Sequence, residues 1–453
     1  MNIMKIHILT IFLCIIPFLA MGQPFKLTDS DPKSDEFKKR FFASYGVHSE
    51  IEPTLNQKDR PFYQKVFPFL ESDPKKAISI IEEEMRPDKN AAFDFLIGNL
   101  YYALEDYVLA EKNLKIALRK FPDFRRAWRT LALCLVQQER FKESIESWLK
   151  VIGLGGGDAQ SYGLLAYAHL IEEKYHSALK AYGMARMFKP DSLDYKRGEA
   201  QCLLMMERYP DAISLYDELI EENPSIRDFW LFQVNAYIAI ENHASAISNL
   251  EVIRSMQLVD WSHLNLLGNL YLISENYNLS LQTYQESLFF AKKEDFNKLL
   301  EPMRNFVNAS CFQEAYLYFI ELRKLTKQPI PIRDQVELDI LLARIQLQSE
   351  QYGDAVLTLK NVIEKDPLNG VALILLGEHA MKTENFARAN IYFERASTMD
   401  DFKVDAWIQL GRLNVQQSNF KRALDYLNKA NRLKPTQQLE DYIGKIKSIL
   451  SRM

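Results

Sequence analysis

The chain has few of the residues that cross-link a fold or carry chemistry. It has 4 cysteines and 7 histidines in 453 residues, and Cys14 lies in an apolar N-terminal stretch. The remaining Cys134, Cys202 and Cys311 are odd in number and cannot all pair within one chain. No His-Glu-x-x-His, Cys-x-x-Cys or carboxylate–histidine cluster occurs. The sequence therefore predicts no disulfide framework, no metal or other cofactor, and no enzyme activity.

A strong excess of one charge sign is also missing. The 56 Lys and Arg residues nearly balance the 60 Asp and Glu residues, which leaves a net charge of -4. Nucleic-acid-binding proteins usually present a strongly basic face. We therefore expect no nucleic-acid partner.

Long apolar runs are confined to the N-terminus, so no membrane span is expected in the rest of the chain. Residues 1–22 combine a basic Lys5, an apolar run over Ile8–Ala20 and a small residue at Gly22. This pattern is typical of a secretory signal peptide. We predict that the mature chain begins at Gln23 and is exported to the periplasm or the extracellular space. An uncleaved membrane anchor is the alternative.

The clearest positive signal is a repeat of 34 residues. Units begin at residues 91, 125, 159, 193, 227 and 261, and again at 336, 370 and 404, with a degenerate unit near Phe296. Position 20 of each unit is small, position 17 is nearly always aromatic, and position 8 is usually glycine or alanine. Each unit contains two runs with apolar residues at helical spacing. Small residues suit the point where two helices cross, and stacked pairs would share one core.

This pattern resembles the tetratricopeptide repeat family from Ala91 to Pro435. The resemblance implies an all-α fold, a right-handed α-α superhelix (solenoid) of about ten helix pairs with a C-terminal capping helix. Three features depart from the family pattern. The unit near Phe296 has Pro302 and Met303 where its first helix should be tight. Val234 and Met303 replace the small residue at position 8, and a segment with two prolines, Arg323–Gln335, breaks the repeat phase.

The same pattern divides the chain into segments. They are a signal peptide at 1–22, an extended segment at 23–57, a divergent helix pair at 58–90, seven repeat units at 91–329 with the seventh degenerate, a proline-containing break at 330–335, three further units at 336–435, and an amphipathic capping helix at 436–453. Because Pro329 and Pro331 cannot continue a helix, we expect residues 323–335 to separate two stacks.

Gly153–Gly157 raises the question of a nucleotide-binding loop. Such a loop needs a preceding strand and a helix whose first turn faces the phosphate. The repeat register instead places these glycines after a second helix, and Asp158 stands where a nucleotide motif needs a different residue. We predict a turn in which glycine permits left-handed backbone and Asp158 caps the next helix.

The resemblance implies an inner groove lined by the first helices, with positions 2, 5, 9, 12 and 13 of each unit facing it. From positions 5 and 9, the candidate peptide-binding residues are Asn99, Arg129, Tyr167, Arg197, Gln201, Asn235, Asn265 and Asn269. Amides can both donate to and accept from a peptide backbone, and arginine can grip a carboxylate. The first unit has Phe95 where the family's clamp for a C-terminal carboxylate has lysine, so that specificity is not implied.

Two functions remain open. The first is a non-enzymatic protein–protein interaction scaffold of the cell envelope, which binds a peptide segment or a subunit in its concave groove. The alternative is an accessory module of an enzyme system that handles envelope glycan or cell-wall polymer. Tyr102 and Tyr167 would then stack on sugar rings.

Overall fold

The computed structural model describes residues 52–53, 57–70, 72–86, 88–291, 296–325 and 330–452. The predicted signal peptide and nearly all of the extended segment at 23–57 lie outside these residues. The described part of the chain consists of helices joined by turns, with no β-strand. The contacts divide the chain into two compact units, Met1–Met256 and Gln257–Met453.

The described part of the first unit contains six helix pairs. Its helices are α1 Arg60–Val66, α2 Pro74–Glu84, α3 Ala91–Ala103, α4 Tyr107–Lys120, α5 Arg125–Gln137, α6 Phe141–Val151, α7 Ala159–Ile171, α8 Tyr175–Phe188, α9 Leu193–Met205, α10 Tyr209–Glu222, α11 Arg227–Ala239 and α12 His243–Ser255. The odd-numbered helix is the first of each pair. From α3 onward, each helix packs against the next one along the chain.

Small residues sit where the two helices of a pair cross. Ala110 of α4 is fully buried, and a Cβ added to Gly98 of α3 would lie 2.7 Å from Cγ of Leu114. The pair can therefore pack closely because neither position carries a bulky side chain. A larger residue at either position would cost about 1–3 kcal/mol of stability through overpacking. The small columns at positions 8 and 20 thus have the packing role that the sequence predicts.

Every first helix from α3 to α11 ends in the same tight turn, which the repeat pattern does not predict. Position 15 is left-handed, with φ between 57° and 63° at Glu105, Glu139, Glu173, Glu207 and Glu241. In the first of these turns, the N–H groups of Glu105 and Asp106 donate to the carbonyls of Tyr102 and Tyr101, both at 3.0 Å. These two hydrogen bonds end the helix at a residue with a left-handed backbone conformation. Glycine is the residue most often found at such a position.

The glycine-rich segment is a turn between repeats, as predicted. It follows α6 as a wide helical turn, Ile152–Gly156, in which Gly155 has a φ of 77°. The side chain of Asp158 then accepts a hydrogen bond from the backbone N–H of Ser161 at 2.7 Å and caps α7. A helix rather than a strand precedes the glycines, so the geometry of a phosphate loop is absent from this segment.

The second unit begins with two helices of the sixth repeat and ends with a single helix. Its helices are α13 Trp261–Ile273, α14 Tyr277–Ser287, α15 Phe296–Leu299, α16 Glu301–Asn308, α17 Phe312–Leu325, α18 Ile332–Gln348, α19 Tyr352–Lys365, α20 Gly370–Lys382, α21 Phe386–Ser397, α22 Lys403–Gln416, α23 Phe420–Leu433 and α24 Gln437–Leu450. In the degenerate repeat, the first helix is split into α15 and α16, and Pro302 lies in the first turn of α16. Proline is tolerated there because its missing N–H would have no intrahelical partner.

The predicted break at 330–335 is too long, because α18 begins at Ile332 with Pro331 as its N-cap. Pro329 lies outside the described residues. Leu322 of α17 and Leu338 of α18 belong to one buried cluster, and the compact units divide at Met256 instead. Apolar side chains on both sides of residues 323–335 thus share a core, and the expected separation of two stacks there stays a prediction.

The last helix, α24, covers the final helix pair. Thr436 caps it, as its hydroxyl accepts from the N–H of Leu439, and Ile443 and Ile446 are buried against Leu427 of α23. A solenoid end needs such a cover because an open end would expose core residues. No helix in the described part of the chain is long and apolar enough to span a bilayer.

Candidate functional site

The first helices of the first unit belong to successive helix pairs that pack against each other along the chain. Two neighbouring pairs of first helices also contact each other directly, α3 with α5 and α7 with α9. We call the exposed side of α3, α5, α7, α9 and α11 the first-helix face. Six of the eight predicted binding residues lie on these helices, whereas Asn265 and Asn269 belong to α13 of the second unit.

The middle of the first-helix face carries half-buried polar side chains. Tyr167, Arg197, Gln201 and Asn235 lie on α7, α9 and α11, and all four are half-buried. The ring of Tyr167 meets Phe141 edge to face, with centroids 5.6 Å apart. Within the described part of the chain, the amides of Gln201 and Asn235 form no hydrogen bond or ion pair. These two amides therefore keep their capacity to bind a ligand.

Arg129, in contrast, is engaged by the turn after α6. Its Nη2 donates to Ser161 Oγ at 2.8 Å and to the Gly156 carbonyl at 3.4 Å, and it forms an ion pair with Asp158. Burial raises the pKa of Asp158, but Arg129 and the hydrogen bonds from Ser161 outweigh it, so the pKa stays below its usual value. Arg129 thus holds two repeats together.

Three of the predicted asparagines are buried. Asn99, Asn265 and Asn269 are 4%, 5% and 7% exposed. Oδ1 of Asn269 accepts hydrogen bonds from the Tyr284 hydroxyl and, at 2.8 Å, from Nδ2 of Asn305. Nδ2 of Asn265 donates to the carbonyl of Trp261 at 2.8 Å. Repeat register predicts the helix face of these residues but not how deeply the neighbouring helices cover them.

The aromatic residues considered for sugar stacking are not open rings. Tyr102 is 9% exposed, and its ring centroid lies 5.7 Å from that of Tyr107. Tyr167 has one side occupied by Phe141. A stacking site needs an exposed ring face, so Tyr102 does not provide one.

Sequence reasoning from positions 5 and 9 misses Arg126, at position 2 of the second unit. Its Nε lies 2.6 Å from Oε2 of Glu52, and its guanidinium lies 5.5 Å from the ring of Phe95. Position 2 is one of the positions that the family resemblance assigns to the groove. The repeat register could therefore have identified Arg126 as a candidate groove residue.

The described residues contain no group of three or more His, Cys, Asp or Glu side chains arranged to hold a metal ion. Burial raises the pKa of Cys202 to about 12 and that of Cys311 to about 11. Because the thiolate is the reactive form, such thiols are inert at neutral pH.

The structure has helix pairs in register, small residues at each crossing and polar side chains along the first helices. Together these features define a helical-repeat scaffold. The family model described as "Tetratricopeptide repeat" matches residues 95–159, 164–225, 340–400 and 374–437. The chain belongs to the tetratricopeptide repeat family, whose members are protein-interaction scaffolds.

Similar proteins cover parts of the chain. A TPR repeat-containing protein of Methanocaldococcus jannaschii is 24% identical over 194 residues, which are 40% of this chain and 32% of that protein. DnaJ homolog subfamily C member 3 of Bos taurus is 23% identical over 171 residues, 34% of each chain. The chain thus spans about a third of the length of these curated relatives. The solved structure of YrrB, described as a TPR protein with an unusual peptide-binding site, is 19% identical, covers 40% of this chain and 92% of its own, and has a TM-score of 0.37.

Proposed function

We propose that the protein is a non-enzymatic scaffold of the cell envelope that binds an extended protein segment on its first-helix face. Family membership supports protein binding. The secretory pattern of residues 1–22 supports an exported, periplasmic or extracellular location. The burial of Tyr102 removes one of the two residues considered for the alternative role in glycan handling.

The observation that carries the proposal is the pair of unengaged amides at Gln201 and Asn235. Both occupy position 9, on successive first helices, so the repeat places them in equivalent positions. An extended polypeptide presents N–H and C=O groups at regular intervals, and each side-chain amide can donate to one and accept from the other. Arg197, one helical turn before Gln201 on α9, adds a cationic group to the same face.

The test compares two double variants of the mature protein. We expect Gln201→Ala with Asn235→Ala to weaken the affinity for a protein partner captured from envelope extracts and then purified. Two lost hydrogen bonds at about 1 kcal/mol each correspond to a loss of about tenfold or more. The binding constant is measured by isothermal titration calorimetry.

The matched control is Lys180→Ala with Glu218→Ala, which removes exposed side chains from the second helices α8 and α10. This control should bind the partner as the wild type does. Unchanged affinity in the Gln201 and Asn235 double variant would show that the first-helix face is not the binding surface.

A further inference from the structure

The start of α5 carries three arginines, and each has a different partner. Arg125 donates to the Gly155 carbonyl at 3.4 Å, and Arg129 pairs with Asp158. Arg126 instead holds the carboxylate of Glu52, a residue from the segment before the helix pairs. The Arg126 Nε–Glu52 Oε2 distance is 2.6 Å, and the two side chains are 19% and 3% exposed.

This ion pair lies on the first-helix face. Arg126 is position 2 of its unit, and its guanidinium is set over Phe95, position 5 of the preceding unit. A short piece of the N-terminal segment, Glu52 followed by Pro53, therefore lies against the surface on which the proposed ligand would run. Its carboxylate already makes the contact that a guanidinium favours.

We infer that Glu52 and Pro53 are an internal competitor for one end of the first-helix face, and that the external ligand is an acidic extended protein segment whose carboxylate replaces that of Glu52 on Arg126. This inference rests on the proposed function. Because Glu52 and Arg126 belong to the same chain, the internal carboxylate competes intramolecularly, with an effective concentration of about millimolar order. An external segment must exceed that competition, so occupancy by Glu52 lowers its apparent affinity.

The desolvation cost of the Arg126–Glu52 ion pair allows an external carboxylate to replace that of Glu52 on Arg126. Removing two charges from water is costly, and the attraction within a buried ion pair can fall short of that cost. Burial raises the pKa of Glu52, and the opposing effects of Arg126 and Arg125 do not bring it back to its usual value. The internal contact therefore carries a desolvation cost that Glu52 recovers when its segment leaves.

The experiment uses full-length protein and a fluorescein-labelled peptide with the sequence of residues 47–56, VHSEIEPTLN. Binding is followed by fluorescence anisotropy. Glu52→Gln in the protein should raise peptide affinity at least tenfold over the wild type, because Arg126 loses the internal carboxylate of Glu52. Adding Arg126→Gln should abolish this gain. A peptide in which Gln replaces the residue equivalent to Glu52 should bind weakly to every variant.

A charge exchange separates competition from misfolding. The double variant Glu52→Arg with Arg126→Glu restores an internal pair and should bind the acidic peptide as weakly as the wild type. Arg126→Glu alone should instead bind a peptide with arginine at the position of Glu52. The matched control is Glu84→Gln, which breaks the exposed Lys65–Glu84 pair of 3.1 Å in the same region and should leave peptide binding unchanged.

The inference is overturned if folded Glu52→Gln protein, verified by circular dichroism, binds the acidic peptide no more tightly than the wild type. It is also overturned if the Arg126→Glu protein does not bind the arginine peptide more tightly than the acidic peptide. These outcomes differ from failure of the proposed function, in which Gln201→Ala with Asn235→Ala leaves the affinity for the purified partner unchanged.

Discussion

Replacing the left-handed glutamates by glycine should stabilise the first unit. The triple variant Glu139→Gly, Glu207→Gly and Glu241→Gly changes three exposed residues whose φ is 58° in each case. No ion pair within the described part of the chain involves them. The side chains therefore add little to stability, while each Cβ sits in a backbone region that L-residues avoid.

The expected gain in the free energy of unfolding is the difference between two contributions of the backbone at each left-handed position. A left-handed conformation costs a residue with a Cβ about 1–2 kcal/mol, whereas glycine loses about 0.5–1 kcal/mol more entropy on folding. The difference between the midpoints of the two ranges is about 0.75 kcal/mol, so we take the net gain as about 0.5–1 kcal/mol per site. The three turns belong to different helix pairs, so their effects should add to about 1.5–3 kcal/mol. For a unit of this size, that raises Tm by about 3–12 °C.

The control is the matching triple alanine variant, which removes the same charges but keeps a Cβ at φ 58°. Unfolding in guanidinium chloride, followed by far-UV circular dichroism, measures both variants. The glycine variant should be more stable than the wild type and the alanine variant should not. If the two variants have the same stability, the backbone argument is refuted and charge removal explains the change.

Two further predictions concern the glycine turn and export. Arg129→Ala should lower the free energy of unfolding by about 1–2 kcal/mol at pH 7, since a partly exposed network of charged hydrogen bonds is lost. Because the folded-state pKa of Asp158 is lowered, this contribution is present above the unfolded pKa and fades as the pH falls through the folded pKa. An equal effect at pH 7 and pH 2 in urea titrations would contradict this prediction. Intact-mass measurement on protein from a native host should give a mature N-terminus at Gln23, and a full-length product would contradict export by a cleaved signal.

The repeat pattern predicts the helices well because packing repeats with the sequence. Ala110 and Gly98 are small because the two helices of a pair approach closely where they cross. The same packing requirement recurs along the repeats. The glycine turn could also be predicted, because Asp158 has the type and position of a helix cap. Helix-capping preferences and the repeat register together therefore predict the glycine turn and the small residues at the helix crossings.

The binding residues were harder to predict, because register gives a side chain's direction but not its neighbours. Asn235 and Asn269 occupy the same position in successive units, yet only Asn269 meets a tyrosine and a second asparagine. Arg129 finds Asp158 because the wide turn after α6 brings that carboxylate to it. The contact of Glu52 with Arg126 joins residues far apart in sequence, and no local pattern predicts it.

The most direct test of the central claim is site-specific photocrosslinking in envelope extracts. A photoreactive benzoylphenylalanine replaces Gln201 or Asn235 on the first-helix face, or Glu218 on the second helix α10. The account predicts protease-sensitive adducts from Gln201 and Asn235 and none from Glu218. Adducts from Glu218 alone, or adducts that a glycosidase removes and a protease does not, would contradict binding of a protein segment on the first-helix face.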